Sequence, residues 1–229
     1  MTQPRKIRRY GWIPDQPDQR DHLYAAPSQF LTALPPRADL RRRCPPVYNQ
    51  GALGSCTANA IGGAIEFDQM KQKLSVFVPS RLFISVGACP EPEWPYNIAK
   101  FATKPPVRAY RDAKLDRAVQ YSSLVQDLNQ MKGCLASGYP FVFGFTVYQS
   151  FETQTVARSG HAPMPMWGER PIGGHAVMAV GYDDANEWFL VRNSWGKNWG
   201  MNGYFTLPYA YLIQPGLSSD FWTIRLVGK

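Results

Sequence analysis

Histidine is scarce in this 229-residue chain, at three residues, and cysteine is barely commoner, at four. No two cysteines form a CxxC pair, which with so few histidines excludes the usual structural zinc modules. Cys44, Cys56, Cys89 and Cys134 are also too few to make a disulfide scaffold. If Cys56 is a free thiolate, the other three allow at most one bridge. No run of 18 apolar residues occurs, so the sequence offers no membrane span. The start Met-Thr-Gln-Pro-Arg-Lys is basic, but no apolar stretch of a Sec signal follows it. The chain as given is therefore expected in the cytoplasm or exported by another route. Charge is sparse as well, at 18% of residues against 45% hydrophobic, the reverse of a disordered chain.

Aromatic residues, in contrast, are abundant, with seven Trp, twelve Tyr and twelve Phe. They favour strands and packed interfaces. The net charge of +8 is concentrated at the start: residues 1–43 carry nine basic and four acidic side chains, or +5, leaving +3 for the remainder. No zinc-finger or RNA-recognition signature accompanies this basic arm, so nucleic acid is not the expected partner. Residues 1–33 read as an irregular arm, broken by Pro4, Pro14, Pro17 and Pro27. Tyr10, Trp12, Tyr24 and Phe30 are too apolar for a free tail and predict that it docks on the body.

A helix is predicted over residues 55–73, capped by Ser55, with Ile61, Ala64, Ile65, Phe67 and Met70 on its buried face. A second is predicted over 123–137, with Ser123 and Gln126 as a capping box and Gly138 as its end. Short β-branched and aromatic runs then predict strands at 141–147, 175–182, 188–193, 203–207 and 222–227. The 183–186 turn makes the second and third a hairpin. Helices first and strands after predict an α+β protein of two lobes, the helical one at roughly 44–120 and the β one at 121–229.

Three segments carry chemistry. Gln50-Gly51-Ala52-Leu53-Gly54-Ser55-Cys56 is a glycine-rich turn that leads into a helix, with a thiol at its first turn. The helix dipole there favours the thiolate, the reactive form. Gly173-Gly174-His175 opens an apolar strand with a candidate base. Asn193-Ser194-Trp195-Gly196, followed by Trp199-Gly200 and Gly203-Tyr204, places two Trp-Gly pairs behind an Asn at a strand end.

Together, and in this order, the segments resemble the papain family of cysteine peptidases, from about Pro36 to the carboxyl end. Gly11-Trp12-Ile13-Pro14-Asp15 and the run after Ser55 resemble its bacterial branch. The resemblance implies a two-lobed fold, with a helical left lobe, a β-barrel-like right lobe and the cleft between them. It implies Cys56 as nucleophile, His175 as base, Asn193 as orienter of the ring and Gln50 in the oxyanion hole. Trp195 would shield the His–Asn hydrogen bond. Gly144, Gly173, Gly174 and Trp199 would line the substrate site, with a roomy pocket for bulky apolar or aromatic side chains. The implied activity is endopeptidase action on protein or peptide substrates by a monomer, without metal or cofactor. A catalytically silent peptide binder and a Cys–His amidase remain alternatives, because fold does not fix substrate.

Several departures from the family pattern matter. Leu53 stands where a disulfide cysteine is usual, and Thr57 where a tryptophan is. Cys56 and His175 are 119 residues apart, short of the family's range of about 130–150. The shortfall falls after Ile84, where a wall-forming stretch of the relatives is deleted or omitted. The abrupt sequence on both sides points to omission. The long helical propeptide is absent; residues 1–33 are the expected substitute, restraining activity from near the cleft, with maturation near residues 33–36.

Overall fold

The computed structural model describes residues 10–16, 18, 21–84 and 87–228. The helices are α1 Ser28–Thr32, α2 Cys56–Lys71, α3 Val107–Ala113, α4 Leu128–Ala136, α5 Gln154–Ser159 and α6 Tyr209–Ile213. The strands are β1 Arg37–Asp39, β2 Pro79–Ile84, β3 Ala88–Pro90, β4 Arg117–Ser123, β5 Phe141–Tyr148, β6 Pro171–Asp183, β7 Trp188–Arg192, β8 Tyr204–Pro208 and β9 Ser218–Gly228. One sheet runs β4-β9-β5-β6-β7-β8, with β1 added on β6, and β2 pairs with β3 apart from it. The fold is α+β and papain-like in its two lobes. Among the described residues the path from β4 to β8 is antiparallel and does not close, so the β lobe is barrel-like without being a closed barrel.

Alternation builds this sheet. Phe141, Phe143, Phe145 and Val147 of β5 are all buried on one face, where they meet Phe151, Phe189, Phe205 and Phe221. Val142 and Gly144, from the other face, line a cavity. That two-residue period fits a sheet with a packed core side. The predicted hairpin is β6–β7, turned at 184–187. Helix α2 contributes Ala64, Ile65 and Phe67 to the main core, while Phe83, Cys89, Trp94, Ala109 and Ala113 form a smaller one around β2, β3 and α3. Met70, expected on the buried face of α2, is 40% exposed instead.

The second helix starts later than its sequence suggests. Ser123 ends β4, and the cap is Asp127, whose side chain accepts from the Gln130 N–H at 2.9 Å. Gln126, read as the far half of a capping box, instead donates to the carbonyls of Leu212 and Ser218. Gly138 does end α4, at φ +84°. The arm is less irregular than expected, since it contains α1, and the backbones of His22 and Tyr24 hydrogen-bond to Ser123 at the edge of β4. Tyr24 and Ala26 are buried in the main core. The junction after Ile84 involves residues 85 and 86, which lie outside the described residues. All four cysteines are unpaired. Among the described residues no helix is long and apolar enough to cross a membrane.

Asp68 on α2 is fully buried, and neither carboxyl oxygen has a hydrogen-bond partner. Burial raises its pKa from 3.8 to about 7, against the pull of Lys71 and Arg225. A carboxyl raised in the folded state stabilises the fold in its protonated form. That contribution is complete below pH 3.8 and is lost as pH rises to about 7. Asp68→Asn removes the titration. The variant is expected to gain about 2–4 kcal/mol over the parent between pH 5 and pH 8. Thermal melts of both chains across that range check it.

Candidate active site

The thiol sits where the sequence expects it. Cys56 is the first residue of α2 and is fully buried, packed with Ala60 and Ala176. Burial alone would raise the thiol pKa. The hydrogen bond and charge of His175, with the backbone N–H groups of Ala176 and Gly11, bring it down to about 7. Cys44, Cys89 and Cys134 are pushed up by burial, each to about 11. The four thiols therefore differ strongly in nucleophilic readiness.

His175 lies on β6 opposite Phe145 of β5 and is fully buried. Its Nε2 is 2.8 Å from Oδ1 of Asn193, directly after β7. The same Oδ1 accepts the backbone N–H of Ser194 at 2.8 Å, which fixes the amide with its oxygen inward. Nε2 must therefore donate, and the proton-accepting nitrogen is Nδ1, which has no hydrogen-bonded nitrogen or oxygen partner. Trp195 stacks on the imidazole with centroids 5.0 Å apart and planes at 27°. It is 5% exposed, so it keeps water from the His–Asn hydrogen bond. Trp199, expected on the substrate wall, is buried edge-on behind Trp195 and between Phe151 and Phe205.

Gln50 is 1% exposed and held at both ends. Its backbone N–H donates to the Ser194 carbonyl at 2.8 Å, and its Oε1 accepts from the Ser194 hydroxyl. Its Nε2 donates one hydrogen to the Leu53 carbonyl at 2.9 Å. The second amide hydrogen remains for a ligand. Ser194 was not singled out from sequence, although it sits inside the Asn-Ser-Trp run.

The three glycines expected at the substrate site are filled by the arm. A Cβ on Gly144 would lie 1.8 Å from the Trp12 indole, and one on Gly174 2.4 Å from it. A Cβ on Gly173 would lie 2.2 Å from the Tyr10 ring. The Trp12 N–H points at the Gly174 carbonyl at 3.4 Å, and the Trp12 indole N–H donates to Asp220 Oδ2 at 2.7 Å. Tyr10 packs edge-on to His175, with centroids 6.1 Å apart, and its hydroxyl bonds to Glu152. Gly11 passes so close to the 50–56 turn that a Cβ there would lie 1.6 Å from the Gly54 carbonyl oxygen. Only glycine fits that approach. Sequence placed the arm near the cleft but gave no signal that the Gly11–Asp15 run is the part that lies against the three glycines.

A buried Cys–His–Asn array with a buried glutamine amide in the turn that leads to the thiol, on this two-lobed fold, defines a thiol peptidase of the papain type. The chain belongs to the papain family of cysteine proteases, whose family model matches residues 80–212. That span includes His175 and Asn193 and begins after Cys56. The chain is 38% identical to an uncharacterised peptidase C1-like protein of Acanthamoeba polyphaga mimivirus, over 96% of this chain and 88% of the relative. It is also similar to the solved structure of xylellain, a cysteine protease from Xylella fastidiosa. Identity there is 39% and the TM-score 0.86, covering 94% of this chain and 95% of the other. A procathepsin B from Trypanosoma congolense shares the fold at TM-score 0.72 and 15% identity, over 97% and 88% of the two chains.

Proposed function

We propose that this chain is a papain-type endopeptidase that cleaves peptide bonds through Cys56 and is held latent by its own amino-terminal arm. The observation that carries the catalytic half is the Nε2–H to Asn193 hydrogen bond, which leaves Nδ1 of His175 as the base for a thiol with a pKa of about 7. The Cys56 proton passes to Nδ1, and the thiolate attacks the scissile carbonyl carbon. The oxyanion is met by the free Nε2 hydrogen of Gln50 and the Cys56 backbone N–H. As the intermediate collapses, the imidazolium gives its proton to the leaving amine. Water, deprotonated by the same ring, then hydrolyses the thioester and frees the thiol. Asn193 keeps the ring in this tautomer throughout.

The arm half rests on residues 10–15, which contact Cys56, the three glycines and Glu152. A bound peptide needs these groups, so arm and substrate compete. The docked stretch at 22–26 serves as the anchor. A cut near residues 33–36 would also remove Tyr24 and Ala26 from the core, so point changes at Tyr10 and Trp12 are the cleaner probes. The test of the whole reading is hydrolysis of fluorogenic dipeptide amides under reducing conditions, by the chain carrying Trp12→Ala and by the same chain with Cys56→Ala added. Equal rates for both would end it.

Ser194 acts through Gln50. Ser194→Ala leaves Oε1 without its donor and lets the amide rotate, at a cost of about 1–2 kcal/mol. The expected result is a roughly tenfold lower kcat with KM nearly unchanged, and recovery with Ser194→Thr. Steady-state kinetics on one substrate across the three chains check it.

A further inference from the structure

The turn from Gln50 to Cys56 holds two glycines and no second cysteine, and no disulfide fastens it. One hydroxyl spans it instead. Tyr96 Oη lies 2.6 Å from the Gln50 carbonyl oxygen and 2.5 Å from Ser55 Oγ, at the two ends of the turn. A carbonyl only accepts, so the one phenolic proton goes to Gln50. Ser55 must then donate to Tyr96. Ser55 Oγ in turn accepts from Asn59 Nδ2 at 3.1 Å, and the same amide nitrogen donates to the Ser55 carbonyl at 2.8 Å. Asn59 is fully buried on α2, three residues after Cys56. The hydrogen bonds therefore run in one direction, Asn59 to Ser55 to Tyr96 to Gln50, and each polarises the next.

Tyr96 is itself anchored in the helical lobe. Its backbone N–H donates to Glu91 Oε1 at 3.3 Å. Glu91 accepts from the Arg81 guanidinium at 2.8 and 3.0 Å, and that guanidinium lies over the Tyr96 ring, 4.3 Å from its centroid. The β lobe holds Gln50 from the other side, through the Ser194 carbonyl and hydroxyl. Gln50 is thus gripped by both lobes, and Tyr96 is the grip of the helical one. We propose that Tyr96 is a positioning residue for the oxyanion hole. By joining residues 50 and 55 through one oxygen, it sets the spacing between the Gln50 side-chain amide and the Cys56 backbone N–H. The inference rests on the peptidase reading and adds a residue to it. The hole serves the tetrahedral intermediate only if both donors converge on one oxygen. Without the clamp the glycine turn can relax, and a misplacement of about 0.5 Å is enough to slow the chemistry. Among the described residues the Tyr96 hydroxyl bonds to neither Cys56 nor His175, so it should leave the thiol itself alone.

The test uses the full chain carrying Trp12→Ala, which takes the indole out of the cleft, with and without Tyr96→Phe. Phenylalanine keeps the ring beneath Arg81 and removes only the hydroxyl. On a fluorogenic dipeptide amide, kcat is expected to fall about 10- to 30-fold, with KM within about twofold. Alkylation of Cys56 by iodoacetamide is the contrasting readout, because displacement of iodide from a saturated carbon builds no oxyanion. Its rate, and its pH midpoint at about 7, should be the same in both chains. Ser55→Ala removes the donor to Tyr96 and leaves the Tyr96–Gln50 bond. It should lower kcat about threefold alone, and no further when added to Tyr96→Phe. The Ser55 side chain makes no capping hydrogen bond to α2, so the helix should survive. An unchanged kcat in either variant, a loss that appears in KM instead, or an equal fall in alkylation overturns the assignment of Tyr96 while leaving the peptidase standing. Absence of thiol-dependent hydrolysis by the Trp12→Ala chain with Tyr96 intact overturns both.

Discussion

Replacing Cys56 with alanine is expected to lower thiol-dependent hydrolysis of dipeptide amides by at least about ten thousandfold while leaving the fold intact. The nucleophile and base act as a unit, so loss of one forfeits nearly all the advantage of the pair. The fold should tolerate the change, because Cys56 packs in a small apolar cluster with Ala60, Ala176, Trp12 and Val142, where a methyl group fits. The pH dependence gives a second reading of the same residue. A thiol near pH 7 is depressed from its ordinary 9.0. The thiolate therefore accumulates as pH rises through about 7, and alkylation by iodoacetamide should rise with it. At pH 8 the other three cysteines, held near 11, remain thiols. Mass spectrometry should find one alkylated cysteine, and it should be Cys56. Labelling of Cys134 or Cys89 ahead of it would reject the electrostatic account.

What the sequence disclosed was short in range. Cys56, His175, Asn193 and Gln50 each sit in a local signal: a glycine turn before a helix, an apolar strand, an Asn-Ser-Trp run. Such signals survive without knowledge of tertiary contacts. The strands from β5 to β9 were legible for the same reason, since alternation along β5 is a one-strand property. β4 was not. It is an edge strand with polar residues on both faces, Arg117, Gln120 and Ser122 among them, and only its pairing with β9 makes it a strand. Ser123 then looked like a helix cap because nothing local says that β4 continues through it. Asp220 and Glu152 gave no signal, because their meaning depends on Trp12 and Tyr10, more than a hundred residues away.

Replacing Trp12 with alanine should have the opposite effect to the Cys56 change and raise the activity of the full chain. The indole fills the space over Gly144 and Gly174 and gives its N–H to Asp220. Its loss removes a partly buried aromatic contact and a hydrogen bond to a charged group, together about 2–3 kcal/mol of arm–cleft attraction. The open fraction of the arm is set by that attraction, so it should grow roughly 30- to 150-fold until the open form dominates. The increase should appear in kcat/KM, because the arm competes with substrate rather than altering the chemistry. Tyr24 provides the control. It belongs to the anchored stretch, and its hydroxyl faces Ser137 at 3.5 Å and Arg225, away from the cleft residues. Tyr24→Phe should leave activity where it was. A peptide with the sequence of residues 10–16, added to the Trp12→Ala chain, should inhibit it again. An unchanged or lower rate for Trp12→Ala, with the chain folded by circular dichroism, would mean that the arm is not the restraint.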